Sequence, residues 1–220
     1  MTRRTPGSGA DASPELGRVL AIDTATPGGS IALRVGGETR ERVLEWRASF
    51  RQAAPAIDEL LAEAGILPGE LDAIAVPSGP GSFTGLRVGA ALALGLARIT
   101  GVTLSAVPTL AAVAEAFAPP TPARVCATLD ARRGRFYAAL YDRVRPAYWR
   151  LVAGPLDATP AEIVALAEAA PVVGPDPAAA SPAGLAGAVA LLASADPARY
   201  ALIAPEELKL IYARPGVDSR

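Results

Sequence analysis

The sequence predicts an α/β protein of two halves, each opening on a meander of strands and continuing in helices and further strands. Three observations carry this reading. Short apolar runs closed by glycine or aspartate recur at strand length, the stretches between them repeat apolar residues at helical spacing, and the strand, turn, strand order that starts at Val19 returns at Arg124.

The first 17 residues are polar and rich in glycine and proline, and are expected as a disordered tail. No apolar segment follows Arg3 and Arg4, so they make no export signal. Val19 to Asp23 (VLAID) is a continuous apolar run suited to a strand covered on both faces. Ser30 to Val35 alternates Ile31, Leu33 and Val35 with Ser30, Ala32 and Arg34, and Gly36 and Gly37 turn the chain into a third strand, Glu38 to Trp46. Ala56, Ile57, Leu60, Leu61 and Ala64 form a helical stripe ended by Gly65. A strand from Leu71 to Val76, a long helix from Phe83, a strand from Val102 to Val107 and a helix from Pro108 to Phe117 follow.

The second half repeats the opening in kind. Arg124 to Asp130 is a strand ending in aspartate, ARRG turns it, RFYAALYD returns, and Tyr148 to Ala153 is a third strand. Thr159, Pro160 and Glu162 are the N-cap, first-turn proline and capping-box acid of a helix to Ala169. PVVG is a short strand, and Ser181 with Pro182 opens a helix to about Leu192. The expected division is a tail at 1–17, a first half at 18–107 and a second, degenerate half at 108–220.

The stretch from Val76 to Arg98, VPSGPGSFTGLRVGAALALGLAR, is the most informative. Gly79, Pro80 and Gly81 make a tight turn, and Ser82 stands where an N-cap hydroxyl bonds the first free N–H groups of the helix. Such a helix start suits a phosphate or carboxylate, or it simply ends a strand and begins a helix. Gly85, Gly89, Ala93 and Ala97 stripe one face with small residues open to close approach by another helix, while Phe83, Leu86, Val88, Leu92, Leu94, Leu96 and Ile99 surround the rest. A helix apolar on every face is either central in its own fold or covered by a partner, and the partner is the preferred reading. Arg87 and Arg98 bound only ten uncharged residues, short of the roughly 20 that cross a bilayer, so no membrane is expected.

Composition excludes more than any motif adds. The chain has 220 residues, no histidine, one lysine (Lys209) and one cysteine (Cys126). Hydrolases with a histidine base, HExxH peptidases and histidine-ligated zinc are excluded, and no lysine follows a glycine loop as a Walker A motif requires. Cys126 sits in an apolar strand and reads as a core thiol, and a lone cysteine fits a reducing cytoplasm. A net charge of −1 argues against a chain that itself grips nucleic acid over a broad surface. If the strands at Val19 and Leu71 are parallel neighbours, their carboxyl ends bring Asp23, Thr24 and the loop Ser78 to Ser82 to one sheet edge, where open α/β sheets bind ligands. Asp23, Thr24, Ser78, Gly79, Gly81 and Ser82 are therefore the candidate anion or nucleotide contacts, with Asp23 either supporting a metal-bound phosphate or capping its own turn.

The segments LAIDTATPGGSIAL (Leu20 to Leu33) and GPGSFTGLRVGAALALGLA (Gly79 to Ala97), with LDARRGRFYAALYD (Leu129 to Asp142) and the final YARP, resemble the bacterial TsaB family, also called YeaZ. The resemblance implies an actin-like ATPase (ASKHA) fold of two ribonuclease-H-like halves, with mixed sheets flanked by helices. It also implies a role in placing a threonylcarbamoyl group on the adenosine beside the anticodon of tRNA. In that pathway a related partner, TsaD, carries a histidine-ligated metal and performs the transfer. TsaB pairs with TsaD, and the small ATPase TsaE joins them. This chain is accordingly expected to be non-catalytic and cytoplasmic, without a metal or an intrinsic cofactor, to touch tRNA only indirectly, and to form a homodimer when TsaD is absent. ATP or ADP with magnesium is an expected guest at the partner interface. Carried onto this sequence, the pairing surface comprises Phe83, Leu86, Arg87, Ala90, Ala93 and Leu94, and Leu86→Glu is expected to break it without unfolding the chain. Two departures stand out: Leu94, where relatives carry a polar or basic residue, and RQAAP (Arg51 to Pro55), where they carry a histidine. The competing reading is an actin-fold ATPase or phosphotransferase using Asp23 and Asp130. A peptidase reading lacks both ligands and a nucleophile pair.

Overall fold

The computed structural model describes residues 15–27, 29–45, 49–121, 123–175, 184–200, 202–203 and 208–211. Trp46, Ser181, Pro182, Glu206, Glu207 and the YARP segment lie outside the described residues.

The first half runs β1 (Arg18–Asp23), β2 (Ser30–Val35), β3 (Glu38–Val43), α1 (Ser49–Ala64), β4 (Ala73–Pro77), α2 (Phe83–Thr100) and β5 (Thr103–Val107). α3 (Thr109–Phe117) leads to β6 (Arg124–Arg132), β7 (Arg135–Arg145), β8 (Tyr148–Ala158), α4 (Pro160–Ala167), β9 (Val172–Val173), α5 (Ala186–Ala195), α6 (Pro197–Tyr200) and β10 (Leu202–Ile203). Local chemistry explains the boundaries. Gly36 and Gly37, at φ 56° and 94°, turn β2 into β3, and Gly65 at φ 65° stops α1. Gly101 at φ 75° caps α2 by donating its N–H to the Ala97 carbonyl at 2.8 Å. α4 carries the expected capping box, with the Thr159 N–H on the Glu162 carboxylate at 2.7 Å and the Glu162 N–H on Thr159 Oγ1 at 3.3 Å.

Among the described residues ten strands make two sheets, ordered β10-β5-β4-β1-β2-β3 and β8-β7-β6-β9. β1, β4 and β5 are parallel, and β2, β3 and β10 are antiparallel to their neighbours. In the second sheet only β9 runs parallel to its neighbour. The two faces of the first sheet differ in residue size, and that difference sorts the helices. Leu20, Ile22, Ile31, Leu33, Ile74 and Val76 face α1 and α2 across a large-residue core. The opposite face presents Val19, Ala21, Ala32 and Ala75, and α5, with Ala186, Ala190 and Ala193, packs small on small against it. α3 touches α5 and covers the inner face of the second sheet, while α4 closes the outer face over Cys126, Ala138 and Leu140. The molecule is thus five layers deep.

Three differences from the sequence reading have physical causes. α5 opens at Ala186, after the non-helical Gly184 and Leu185, and both α5 and β10 join the first sheet, so the second half at 108–220 does not keep to one sheet. The alanine face of the first sheet needs a helix that approaches closely, and the small face of α5 supplies it. Residues 15–17, assigned to the tail, are anchored: the Leu16 N–H bonds the Ser194 carbonyl at 3.1 Å, Ser194 Oγ bonds the Leu16 carbonyl, and the Gly17 and Arg18 N–H groups share Asp72 Oδ2. β8 extends five residues past Ala153, to Ala158, because β7 is long enough to pair with it across its bulges.

Candidate functional site

β1 and β4 are parallel neighbours, so Asp23, Thr24 and the Ser78–Ser82 loop do meet at one sheet edge. Several of their hydrogen-bonding groups are engaged inside the chain. Asp23 is fully buried; one carboxylate oxygen accepts the Ala25 N–H at 2.8 Å and the Thr26 N–H at 3.2 Å, and the other accepts the Thr26 hydroxyl. Burial holds its pKa above the usual carboxylate range against the lowering effect of those bonds, and the charge of Glu41 adds to the rise. Thr24 Oγ1 donates to the Gly85 carbonyl at 2.7 Å. Ser78 and Ser82 give their N–H groups to the Val107 and Ala25 carbonyls, Gly79 gives its own to Thr109 Oγ1, and Ser82 Oγ takes the Gly85 N–H at 3.2 Å. Through these bonds the loop pins the start of α2 to β1, β5 and α3. A methyl at Gly81 would lie 3.0 Å from the Ala25 carbonyl oxygen, so glycine serves close backbone packing here.

The expected partner surface divides in two. Phe83 is 52% exposed with Arg87 stacked over its ring at 3.8 Å, and Leu94 is half-buried. Leu86, Ala90 and Ala93 are buried in the chain's own core, and Leu86→Glu would break that core rather than a clean interface. The stripe Gly85, Gly89, Ala93 and Ala97 is likewise turned inward. A methyl at Gly85 would fall 1.8 Å from the Thr24 carbonyl oxygen, so the close approach signalled by these residues is to β1 and its loop. A second row, Thr84, Arg87, Ala91, Gly95 and Ile99, looks outward, with Ile99 86% exposed and open space over Gly95. By length and apolarity α2 is the one described helix able to cross a membrane, yet a third of it is buried and its inner face is committed to β1, β4 and β5.

Between the two sheets, Thr26 and Pro27 of the first half meet Val113 and Phe117 of α3 and Pro175 and Leu185 ahead of α5, leaving no room for a water molecule. Asp130, the other carboxylate considered for phosphate chemistry, bonds the Arg132 N–H at 2.7 Å and lies 3.8 Å from the Arg132 guanidinium. Among the described residues no group of three histidine, cysteine or acidic side chains could hold a metal ion. A pocket of about 470 Å³ opens beside the Gly79–Pro80 turn of the same loop, where Tyr141, Trp149, Leu151 and Arg199 face Gly79, Pro108 and Ile211. Its described walls are mostly apolar and ring-lined, with the Arg199 guanidinium among them, and burial pushes the Tyr200 phenol up to about 12. The sequence reading missed Ser30 and Glu41 as interior contacts; the one available signal was a serine opening an otherwise apolar strand.

The family model described as "TsaD: tRNA N6-adenosine threonylcarbamoyltransferase" matches residues 45–173, more than half of the chain. The tRNA threonylcarbamoyladenosine biosynthesis protein TsaB of Haemophilus influenzae is 40% identical over 121 residues, 54% of this chain and 51% of that protein. The chain thus spans about half the length of the first curated relatives it matches. An uncharacterized protein of Mycobacterium tuberculosis is 36% identical over 80% of this chain and 86% of its own length. The solved structure of YeaZ from Pseudomonas aeruginosa superposes with a TM-score of 0.70 at 27% identity, covering 90% of this chain and all of that one. The chain belongs to the TsaB family, also called YeaZ, and has its actin-like fold of two ribonuclease-H-like halves.

Proposed function

We propose that this chain is a non-catalytic subunit in the formation of threonylcarbamoyladenosine in tRNA, and that it binds and supports the TsaD transferase. The observation that carries the reading is the outward face of α2 in a chain of this family: small at Ala91 and Gly95, apolar at Phe83 and Ile99, and with Arg87 and Arg98 exposed beside them. Such a row lets a partner helix approach closely and bury apolar surface. The lack of histidine and the engagement of the Asp23 carboxylate by its own turn support a role without chemistry of its own. The reading implies a cytoplasmic location and contact with tRNA through the complex.

The test is reconstitution of tRNA threonylcarbamoylation with the cognate TsaD, TsaE and adenylate-forming enzyme, with and without this chain. Product formation is expected to depend on it, with none from the chain alone. Ala91→Arg, on the exposed row, is expected to weaken TsaD binding at least about tenfold by titration calorimetry while leaving the melting temperature unchanged. Modification indifferent to the chain, or TsaD affinity indifferent to Ala91→Arg, would sink the proposal or its surface respectively.

A further inference from the structure

We propose that the tip of the β6–β7 hairpin, Arg132 and Arg133, sets its guanidinium groups on backbone phosphates of the tRNA when this chain sits in its complex. The contact rests on the proposed place of the chain in tRNA modification and adds to it a role for the chain's own residues. Arg132 pairs with Arg135, so Arg133 and Gly134 form a two-residue turn, and their φ values of 58° and 73° are those of a type I′ hairpin. Arg132 is left-handed as well, at φ 71°, beside the irregularity between Asp130 and Arg132. Such positions suit glycine and asparagine, because a larger side chain there brings its Cβ close to the following carbonyl. The first half shows what the fold uses where no side chain is called for. There Val35 pairs with Glu38, and Gly36 and Gly37 make the same two-residue turn at φ 56° and 94°. Nothing lies within 4 Å of a methyl at Gly36, Gly37 or Gly134, so packing does not select arginine at the second tip. Two arginines held against backbone preference on an exposed turn point to a use for their side chains.

The charges at the tip favour an anion. Asp157 takes Arg135 at 2.6 Å, while Asp130 lies 3.8 Å from Arg132, whose side chain stays 62% exposed. Arg133 is exposed and has no acidic partner among the described residues. A guanidinium fork matches two oxygens of one phosphate, which a point charge does not. The net charge of −1 denies the chain a broad RNA surface, but one or two phosphate contacts at a tip add to a surface that its partners mainly build.

The test is binding of an unmodified tRNA transcript to the complex of this chain with the cognate TsaD and TsaE, measured across a salt titration. Arg133→Asn is the informative variant, because asparagine tolerates the left-handed turn and the chain keeps its fold. It is expected to raise the urea midpoint of the isolated chain and to leave TsaD affinity unchanged. It is also expected to weaken tRNA binding by the complex about three- to tenfold and to reduce the slope of log affinity against log salt by about 1. Arg133→Lys keeps the charge and is expected to keep most of the slope, whereas Arg133→Glu is expected to lose more affinity than Arg133→Asn. Unchanged tRNA affinity and slope in the Asn and Glu variants overturn the proposal. A loss of TsaD affinity overturns it too, since the tip then belongs to the protein interface. A wild-type chain that forms no complex with TsaD sinks the proposed function itself, and this contact falls with it.

Discussion

Gly85 and Gly95 lie in one helix and meet opposite surroundings. A methyl on Gly85 runs into the Thr24 backbone, which cannot yield, whereas nothing lies within 4 Å of one on Gly95. Gly85→Ala is therefore expected to cost about 3 kcal/mol or more in urea unfolding. Gly95→Ala is expected to add roughly 0.5–1 kcal/mol, because it only removes backbone freedom from the unfolded chain. Equal effects at the two positions would refute the assignment of faces. Asp23 gives a prediction in pH. Its pKa is raised in the fold, so the folded state binds the proton more tightly than the unfolded state does. Its contribution is fully present below the ordinary carboxylate value and is lost as pH rises through the raised folded value. Urea unfolding across that window should show the wild type losing stability relative to Asp23→Asn as pH increases. The opposite slope would mean that the three bonds to the carboxylate outweigh its burial.

At the level of elements, α5 depends on distant residues for what most helices obtain locally. Ser30→Ala removes the acceptor for two buried N–H groups, and each such loss costs about 1–3 kcal/mol. The variant is expected to unfold at lower urea with an unchanged slope, and an unaltered midpoint would show that other groups cap the helix. The same dependence explains what was legible. The meander β1 to β3, the cap of α2 and the box of α4 announce themselves within a few residues, so periodicity and turn chemistry reveal them. The start of α5 has no such signature, because its caps lie 155 and 146 residues away. α2 failed to declare its orientation for a related reason. Gly85, Gly89, Ala93 and Ala97 signal that something approaches closely without saying what, and a strand end of the same chain meets that requirement as well as a partner helix. Its outward row, with Ala91 and Gly95, is also small, so the pattern holds two faces of close approach and the sequence alone does not rank them. The loop residues Ser78 to Ser82 were correctly placed at the sheet edge, but whether their N–H groups stay free depends on Val107, Thr109 and Ala25, which only the fold brings near.

For the molecule as a whole, the decisive feature is that α5, a helix of the second half, completes the first sheet. A chain ended at Gly174 would leave Val19, Ala21, Ala32 and Ala75 without the cover of α5, along with the unpaired edge of β5. That fragment is expected to show no cooperative urea transition and no fixed near-ultraviolet dichroism, although it contains every strand of the meander. A cooperative transition in the fragment would show that the two large-residue layers suffice alone. The arrangement also sets a timetable for synthesis. Nascent chains commonly consolidate their leading portion while the remainder is still being made. Here the ribosome must release the chain as far as Ala195 before the alanine face of the first sheet receives its helix. The leading half therefore waits, one face finished and one bare, while β6 to β9 are made, and a bare apolar sheet face of this kind is open to aggregation in that interval.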